Sequence, residues 1–196
     1  MLNFDMVGRL DSSRGLAIYG VGTSPYWEKA IDEANTENLK LIKTESGVGP
    51  SDHTSFYLQN LPVLHFFTGQ HEDYHKPSDD AHKINYDGMV TVGNMVKTIL
   101  KSSQNQGKLD FTKTKDDSQS RPTFSVTLGV MPDYMYQGEG MRIDGVTEGR
   151  TADKAGMKKG DIVLQIGEFK IDGMQGYMET LGKFEKGQKT TVKINR

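Results

Sequence analysis

The sequence predicts an α/β part with a partial parallel sheet and flanking helices, followed by a linker and a β-rich part with two helices. Short apolar runs alternate with helical patterns over residues 1–101, which is typical of buried parallel strands. Apart from one leucine and one phenylalanine, residues 102–121 are polar or glycine and have no periodicity, as in a linker. Residues 122–196 return to short strands separated by glycines.

Three short apolar runs predict strands of the first part, at residues 16–21, 39–42 and 61–67. Runs that are apolar throughout are buried on both faces in α/β proteins, so helices are expected to cover this sheet.

Helix starts lie between these runs. Ser24 before Pro25 is typical of an N-cap and a first helical position, and the helix is predicted to reach about Ala34. Ser51 is predicted to cap a second helix. Apolar residues recur at helical spacing over residues 89–100, which predicts a third.

The second part is predicted to contain strands at residues 141–146, 162–166 and 191–194. Thr151 can cap a short helix, and residues 173–184 can form a longer one with an apolar face.

Composition excludes several classes of function. A net charge of -2 with mixed signs argues against a nucleic-acid surface. The absence of cysteine excludes disulfides and thiolate zinc sites and leaves the redox compartment open. No apolar run approaches the roughly 20 residues of a membrane span. No signal peptide is predicted at the first residues, and localisation stays open, including export of a parent protein.

All five histidines lie between Ser51 and Asn85, interleaved with acidic residues. Histidine and carboxylate side chains are common zinc ligands. Asp5 ends a strand-like stretch far upstream, and His75 lies in the loop after residues 61–67. Since α/β proteins build sites at strand ends, both are candidates for chemistry.

Other histidines have simpler interpretations. His65 lies within an apolar run and is predicted to be a core or strand-end histidine, while His53 is predicted to shape a helix start. Asp79 and Asp80 can cap and solvate their loop.

Four stretches resemble the zinc-dependent aminopeptidase family that also includes glutaminyl-cyclase-like and transferrin-receptor-like members. They are Asn3–Arg9, Ser51–Phe56, Leu61–Phe66 and Tyr74–Asp80. The resemblance implies a hydrolase, a metallopeptidase that uses two zinc ions. It implies that Asp5 binds one zinc ion and His75 the other, with Asp52 as a carboxylate in the wall of the site.

The chain departs from that family's pattern in one respect. The pattern has a His-x-Asp pair and a Glu-Glu pair before the Asn-Phe-Asp-Met stretch, and only two residues precede that stretch here. We therefore expect a C-terminal portion of the catalytic domain, with two of five ligands and no general base. Such a chain is expected to bind zinc weakly or not at all, to be inactive alone, and to have the missing N-terminal half as a partner.

Residues 122–196 resemble a PDZ domain of the bacterial protease-associated kind, most specifically over Ala155–Val163. The resemblance implies that backbone N–H groups around Leu128, Gly129 and Val130 bind the carboxylate of a peptide or protein C-terminus. The pocket for the last side chain would be lined by Leu128, Val130, Met178 and Leu181. An ordinary strand with a bulge is the simpler alternative for residues 128–130.

Three functions are compatible with the sequence. The first is a C-terminal portion of a zinc aminopeptidase carrying a PDZ module that recruits peptides. The second is a noncatalytic peptide-binding or scaffold protein with a remnant peptidase domain. The third is a truncated product without an independent role.

Overall fold

A computed structural model describes residues 1–115 and 126–196. The chain divides into two compact units, one of Met1–Gly69 and His75–Asp117, the other of Gln70–Tyr74 and Ser118–Arg196. Among the described residues, none of the helices combines the length and the hydropathy that a membrane crossing requires.

The first unit is a four-stranded sheet with three α-helices. Its strands are β1 (Leu2–Phe4), β2 (Leu16–Tyr19), β3 (Leu41–Thr44) and β4 (Leu64–Phe67), in the spatial order β1-β4-β2-β3. Its helices are α1 (Trp27–Ala34), α2 (His53–Tyr57) and α3 (Tyr86–Ser103).

The sheet is mixed, so the expectation of parallel strands is wrong for one pairing. β1 runs parallel to β4 and β2 parallel to β3, but β2 and β4 are antiparallel. A parallel connection needs a crossover, usually a helix. The link between β1 and β2 contains only a short 3-10 turn at Val7–Arg9, so the chain reverses direction there.

Helix ends differ in detail from the predicted ones. α1 ends at Ala34 as predicted but begins at Trp27, three residues after the expected cap at Ser24. The N-cap residue of α2 is Asp52 rather than the predicted Ser51, and the Asp52 side chain makes no cap hydrogen bond. In α3 the Asn85 side chain caps the helix by accepting from the Gly88 N–H at 2.9 Å.

The core of the first unit lies between the sheet and helices α1 and α3. Burying these side chains removes apolar area from water, which is the main force that holds the sheet and helices together. The largest contributors are Leu16, Ile18, Trp27, Ile31, Leu64, Phe66, Val92, Met95, Val96 and Ile99.

Part of the predicted linker is bound to this unit. Leu109 packs against the core, and the Phe111 ring lies 5.5 Å from that of Tyr57. The Thr114 N–H donates to the Tyr57 hydroxyl at 3.0 Å. The polar sequence around these residues is therefore anchored by a few side chains.

The second unit is an antiparallel sheet with two helices. Its strands are β5 (Val130–Pro132), β6 (Met141–Val146), β7 (Ile162–Ile166), β8 (Phe169–Lys170) and β9 (Val192–Asn195), with β5-β6-β7-β8 in spatial order and β9 beside β7. Its helices are α4 (Thr151–Lys154) and α5 (Met174–Leu181). The predicted strands and helices are present: β6 and β7 have the predicted bounds, β9 is shifted by one residue, and α5 is shorter than predicted. The N-cap residue of α4 is Arg150 rather than Thr151.

Candidate metal centre

Asp5 lies at the carboxyl end of β1, beside the end of β4. Phe4 is opposite Phe66 in the parallel register, and the Asp5 N–H donates to the Phe66 carbonyl at 3.2 Å. The carboxyl ends of β1 and β4 therefore meet at one edge of the sheet. The Asp5 side chain is exposed there.

The Asp5 carboxylate is oriented by Ser51. The Ser51 hydroxyl donates to Asp5 Oδ2 at 3.1 Å and accepts from Asn3 Nδ2 at 2.9 Å. Among the described residues no donor reaches the other oxygen, Asp5 Oδ1. The sequence predicted a helix cap at Ser51, and the structure uses its hydroxyl to hold a predicted metal ligand.

His75 lies in the loop that follows β4, and its side chain is exposed. Its backbone is left-handed, with φ of 56°, which is uncommon for a residue other than glycine. Four residues later, Asp79 accepts from the Arg9 guanidinium at 2.6 Å. This ion pair ties the loop of His75 to the segment that follows Asp5.

Asp52 is the N-cap residue of α2, and it is exposed. It stands between Ser51, which contacts Asp5, and His53, which points into the interior. The structure thus places Asp52 next to the candidate centre, and its role in the wall of a site stays a prediction.

A stacked pair of histidines lies beneath this edge. The His53 and His65 rings are 4.5 Å apart and within 7° of parallel, and the side chains are 0% and 5% exposed. His65 is buried within β4, as its apolar sequence context predicts. The stacking was not predicted, because nothing in the spacing of residues 53 and 65 relates a helix start to the middle of a strand.

Burial favours the neutral form of both rings. Loss of hydration and, to a smaller extent, the neighbouring His65 lower the pKa of His53 to about 4, against an opposing effect of Asp5. Burial also lowers the pKa of His65, again opposed by Asp5. Neither ring nitrogen of His53 has a hydrogen-bond partner among the described residues, which is rare for a buried polar group.

Asp5 at this edge and His75 in the loop after β4 are residue types that fit a zinc ion chemically. Asp5 offers a carboxylate oxygen that accepts no other hydrogen bond, and His75 offers an imidazole, both common zinc ligands. A carboxylate ligand held through its second oxygen is also the usual arrangement around protein metals.

The five residues predicted to bind peptides all lie in the second unit. Leu128 and Leu181 are buried in its core, and Val130 and Met178 pack against that core. Leu128 and Leu181 line a cavity of about 840 Å³, to which Arg150 also contributes. Of the described residues that line this cavity, none is Gly129, Val130 or Met178.

Gly129 occupies a position that requires glycine. Its φ is 78°, and a Cβ would lie 2.3 Å from the Cβ of Arg150. Its N–H donates to Thr127 Oγ1 at 3.1 Å, so in this structure that group is engaged within the loop. A peptide carboxylate would have to displace the threonine hydroxyl to reach it.

Comparison with known proteins gives a family for the first unit. Residues 1–100, more than half of the 196-residue chain, match the family described as Peptidase family M28. No curated protein and no solved structure matches the chain.

Proposed function

Because the chain belongs to peptidase family M28, we propose that residues 1–100 are the C-terminal portion of the catalytic domain of a zinc-dependent aminopeptidase. Asp5 would bind one zinc ion and His75 another. The observation that carries this proposal is the meeting of β1 and β4 at one sheet edge, with Ser51 holding Asp5 and the Arg9–Asp79 ion pair fastening the loop of His75.

The chemistry that zinc supplies when bound is Lewis acidity toward water and the peptide carbonyl. The contribution of this chain is to hold two ligands in place at the sheet edge. The other ligands and the general base of the family pattern belong to its His-x-Asp and Glu-Glu pairs. We therefore expect the 196-residue chain alone to hold zinc weakly and to hydrolyse no peptides.

Zinc content after dialysis and hydrolysis of leucine p-nitroanilide by the full 196-residue chain test this proposal. We expect substoichiometric zinc, no turnover, and a further loss of zinc uptake in Asp5→Ala and His75→Ala. His82→Ala and Asp87→Asn are matched controls, because both residues are exposed and lie outside the predicted site. Uptake that is equal in the Asp5, His75 and control variants would overturn the ligand assignment, and robust turnover would overturn the expected inactivity.

For residues 122–196 we propose a PDZ module that binds peptide C-termini. Support comes from the glycine-dependent loop at Gly129 and from the cavity shared by Leu128 and Leu181. Arg150 lies against the same loop and lines the same cavity, so its guanidinium can supply charge for a carboxylate.

Fluorescence anisotropy with a labelled peptide library tests this module in the full chain. Binding should require a free C-terminal carboxylate and be lost when the same peptides are amidated. Gly129→Ala should abolish binding, while Gly173→Ala, where an added Cβ meets no atom within 4 Å, should retain it. Equal binding of acid and amide peptides would contradict carboxylate recognition. Carboxylate-dependent binding without metal uptake at Asp5 and His75 would favour the noncatalytic scaffold.

A further inference from the structure

The hydrogen bonds around Asp5 have a direction that elementary chemistry determines. An ionised carboxylate only accepts, so the Ser51 hydroxyl must donate its single hydrogen to Asp5 Oδ2. With that hydrogen used, the Ser51 oxygen can only accept from Asn3, whose amide lies 2.9 Å away. The Asn3 group that faces Ser51 is therefore its NH2 nitrogen, and the opposite amide orientation would place two acceptors in contact.

The same nitrogen determines the protonation of His65. Asn3 Nδ2 lies 2.9 Å from His65 Nδ1, and its second hydrogen points to that ring nitrogen. His65 Nδ1 must then be the acceptor, which leaves the ring hydrogen of the neutral imidazole on Nε2. The series of contacts runs without a break from a buried ring to an exposed carboxylate.

Each member of this series is held by the fold. Asn3 in β1 and His65 in β4 are direct partners in the parallel register. The His65 ring stacks on His53 at 4.5 Å and on Tyr19 at 5.6 Å, so its plane is held from two sides. Only Asp5, at the end of the series, is exposed.

We propose that Asn3 and His65 are positioning residues that orient the Asp5 carboxylate through Ser51, with His65 as the neutral tautomer that carries its hydrogen on Nε2. Asp5 Oδ1 is thereby presented to a metal ion while Oδ2 is held. The role of this orientation in metal binding rests on the proposed function, but the orientation itself does not. Outer partners of metal ligands typically change metal affinity by about 10- to 100-fold.

The decisive measurement needs no metal. Nitrogen NMR of the histidine rings in the full chain should find His65 with a bare Nδ1 and a protonated Nε2, and three-bond couplings should find Asp5 in one χ1 rotamer. In His65→Phe, which keeps an aromatic ring but loses the acceptor, the Asp5 rotamer should become averaged. His65→Asn, whose amide oxygen can replace Nδ1 as the acceptor, should restore the single rotamer.

A protonated Nδ1, or an Asp5 rotamer unchanged in His65→Phe, would overturn the proposal. Fluorescence of Trp27, the single tryptophan, checks that each variant folds, and the tautomer of the unmodified chain decides the question if a variant does not. Cobalt titration then separates the two proposals. We expect about 10-fold weaker cobalt binding in His65→Phe than in His65→Asn. Cobalt binding that is equal in the two variants, with Asp5 oriented only in His65→Asn, would refute the role of this orientation in metal binding and leave the positioning role standing.

Discussion

The two units treat their buried polar side chains in opposite ways. In the second unit three buried carboxylates each face a cation: Asp133 with Arg142 at 2.5 Å, Asp144 with Lys159 at 3.1 Å and Asp161 with Arg196 at 2.9 Å. In the first unit the stacked His53 and His65 rings are buried, and their pKa values are lowered.

This difference separates buried polar groups that serve only the fold from buried polar groups that lie beside a candidate site. Ion pairs satisfy these three buried carboxylates within the fold of the second unit. His53 instead leaves two buried nitrogens without partners among the described residues, at a cost in free energy that a hydrophobic side chain would avoid. Groups with perturbed pKa values are concentrated at functional sites, and these rings lie beneath the proposed zinc ligand Asp5.

The largest expected effect is a loss of stability of the first unit between pH 6.5 and pH 4. His53 has a pKa of about 4 when folded and 6.5 when unfolded, so between these pH values the unfolded chain binds a proton that the folded chain does not. The free energy of unfolding should therefore be highest above pH 6.5 and fall by about 3 kcal/mol toward pH 4. Denaturant unfolding followed by Trp27 fluorescence measures it, since Trp27 is buried in this unit.

The control for this pH dependence is His53→Phe, which keeps a flat ring and cannot be protonated. Carboxylates titrate in both proteins, so the difference between the two curves isolates His53. Parallel curves from pH 6.5 to 4 would show that the ring is protonated as easily in the folded chain as in the unfolded one.

A smaller effect is expected from breaking an ion pair of the second unit. Arg142→Met leaves the carboxylate of Asp133, only 6% exposed, without its guanidinium, and should lower stability by about 2 kcal/mol. Adding Asp133→Asn should recover part of the loss, because the buried charge is then absent. Hydrogen exchange at the Ile143 amide, inside β6, reports on this unit. A double variant less stable than Arg142→Met would contradict this account.

The next smaller effect is expected at Gly49, which lies against the His53 ring in the loop before α2. A Cβ at Gly49 would lie 2.9 Å from His53 Nε2, and the stacked ring cannot retreat. Gly49→Ala should cost about 1 kcal/mol by overpacking, measured through Trp27. Gly93→Ala in α3, where an added Cβ meets no atom within 4 Å, should be neutral or stabilising. Equal effects of the two substitutions would argue against a rigid ring.

The smallest effect is expected at an exposed ion pair. Lys29 and Glu33 lie one helical turn apart in α1, with their charged atoms 3.7 Å apart and both side chains mostly exposed. Lys29→Ala should change stability by at most about 0.5 kcal/mol. A loss of stability as large as that of Arg142→Met would show that this exposed ion pair contributes as much as a buried one.

Sequence reasoning found the α-helices of both units and most of their strands, because strand runs and helical periodicity are local properties. It did not predict the short strands β5 and β8. It placed Asp5 and His75 at strand ends and His65 in the core. It missed the antiparallel pairing of β2 with β4, since direction depends on whether a link contains a crossover helix.

The hydrogen bonds and ring contacts of the candidate centre could not be predicted from the sequence either. Serine is a preferred helix-capping residue, so the sequence alone predicts a cap at Ser51. Only the pairing of β1 with β4 brings Asn3 and Asp5 to its hydroxyl. The stacking of His53 on His65 likewise depends on the tertiary contact that brings the start of α2 to β4. Local patterns thus identified the residues, and tertiary pairing determined their partners.

The left-handed backbone at His75 determines which residues a mutant library would favour at this position. With φ of 56°, glycine would occupy this position with less strain than histidine. A library randomised at residue 75 and selected only for folded protein should therefore enrich glycine. The same library selected for cobalt binding should return histidine, the proposed ligand at this position, so the two selections would separate the backbone preference of the loop from the proposed metal role.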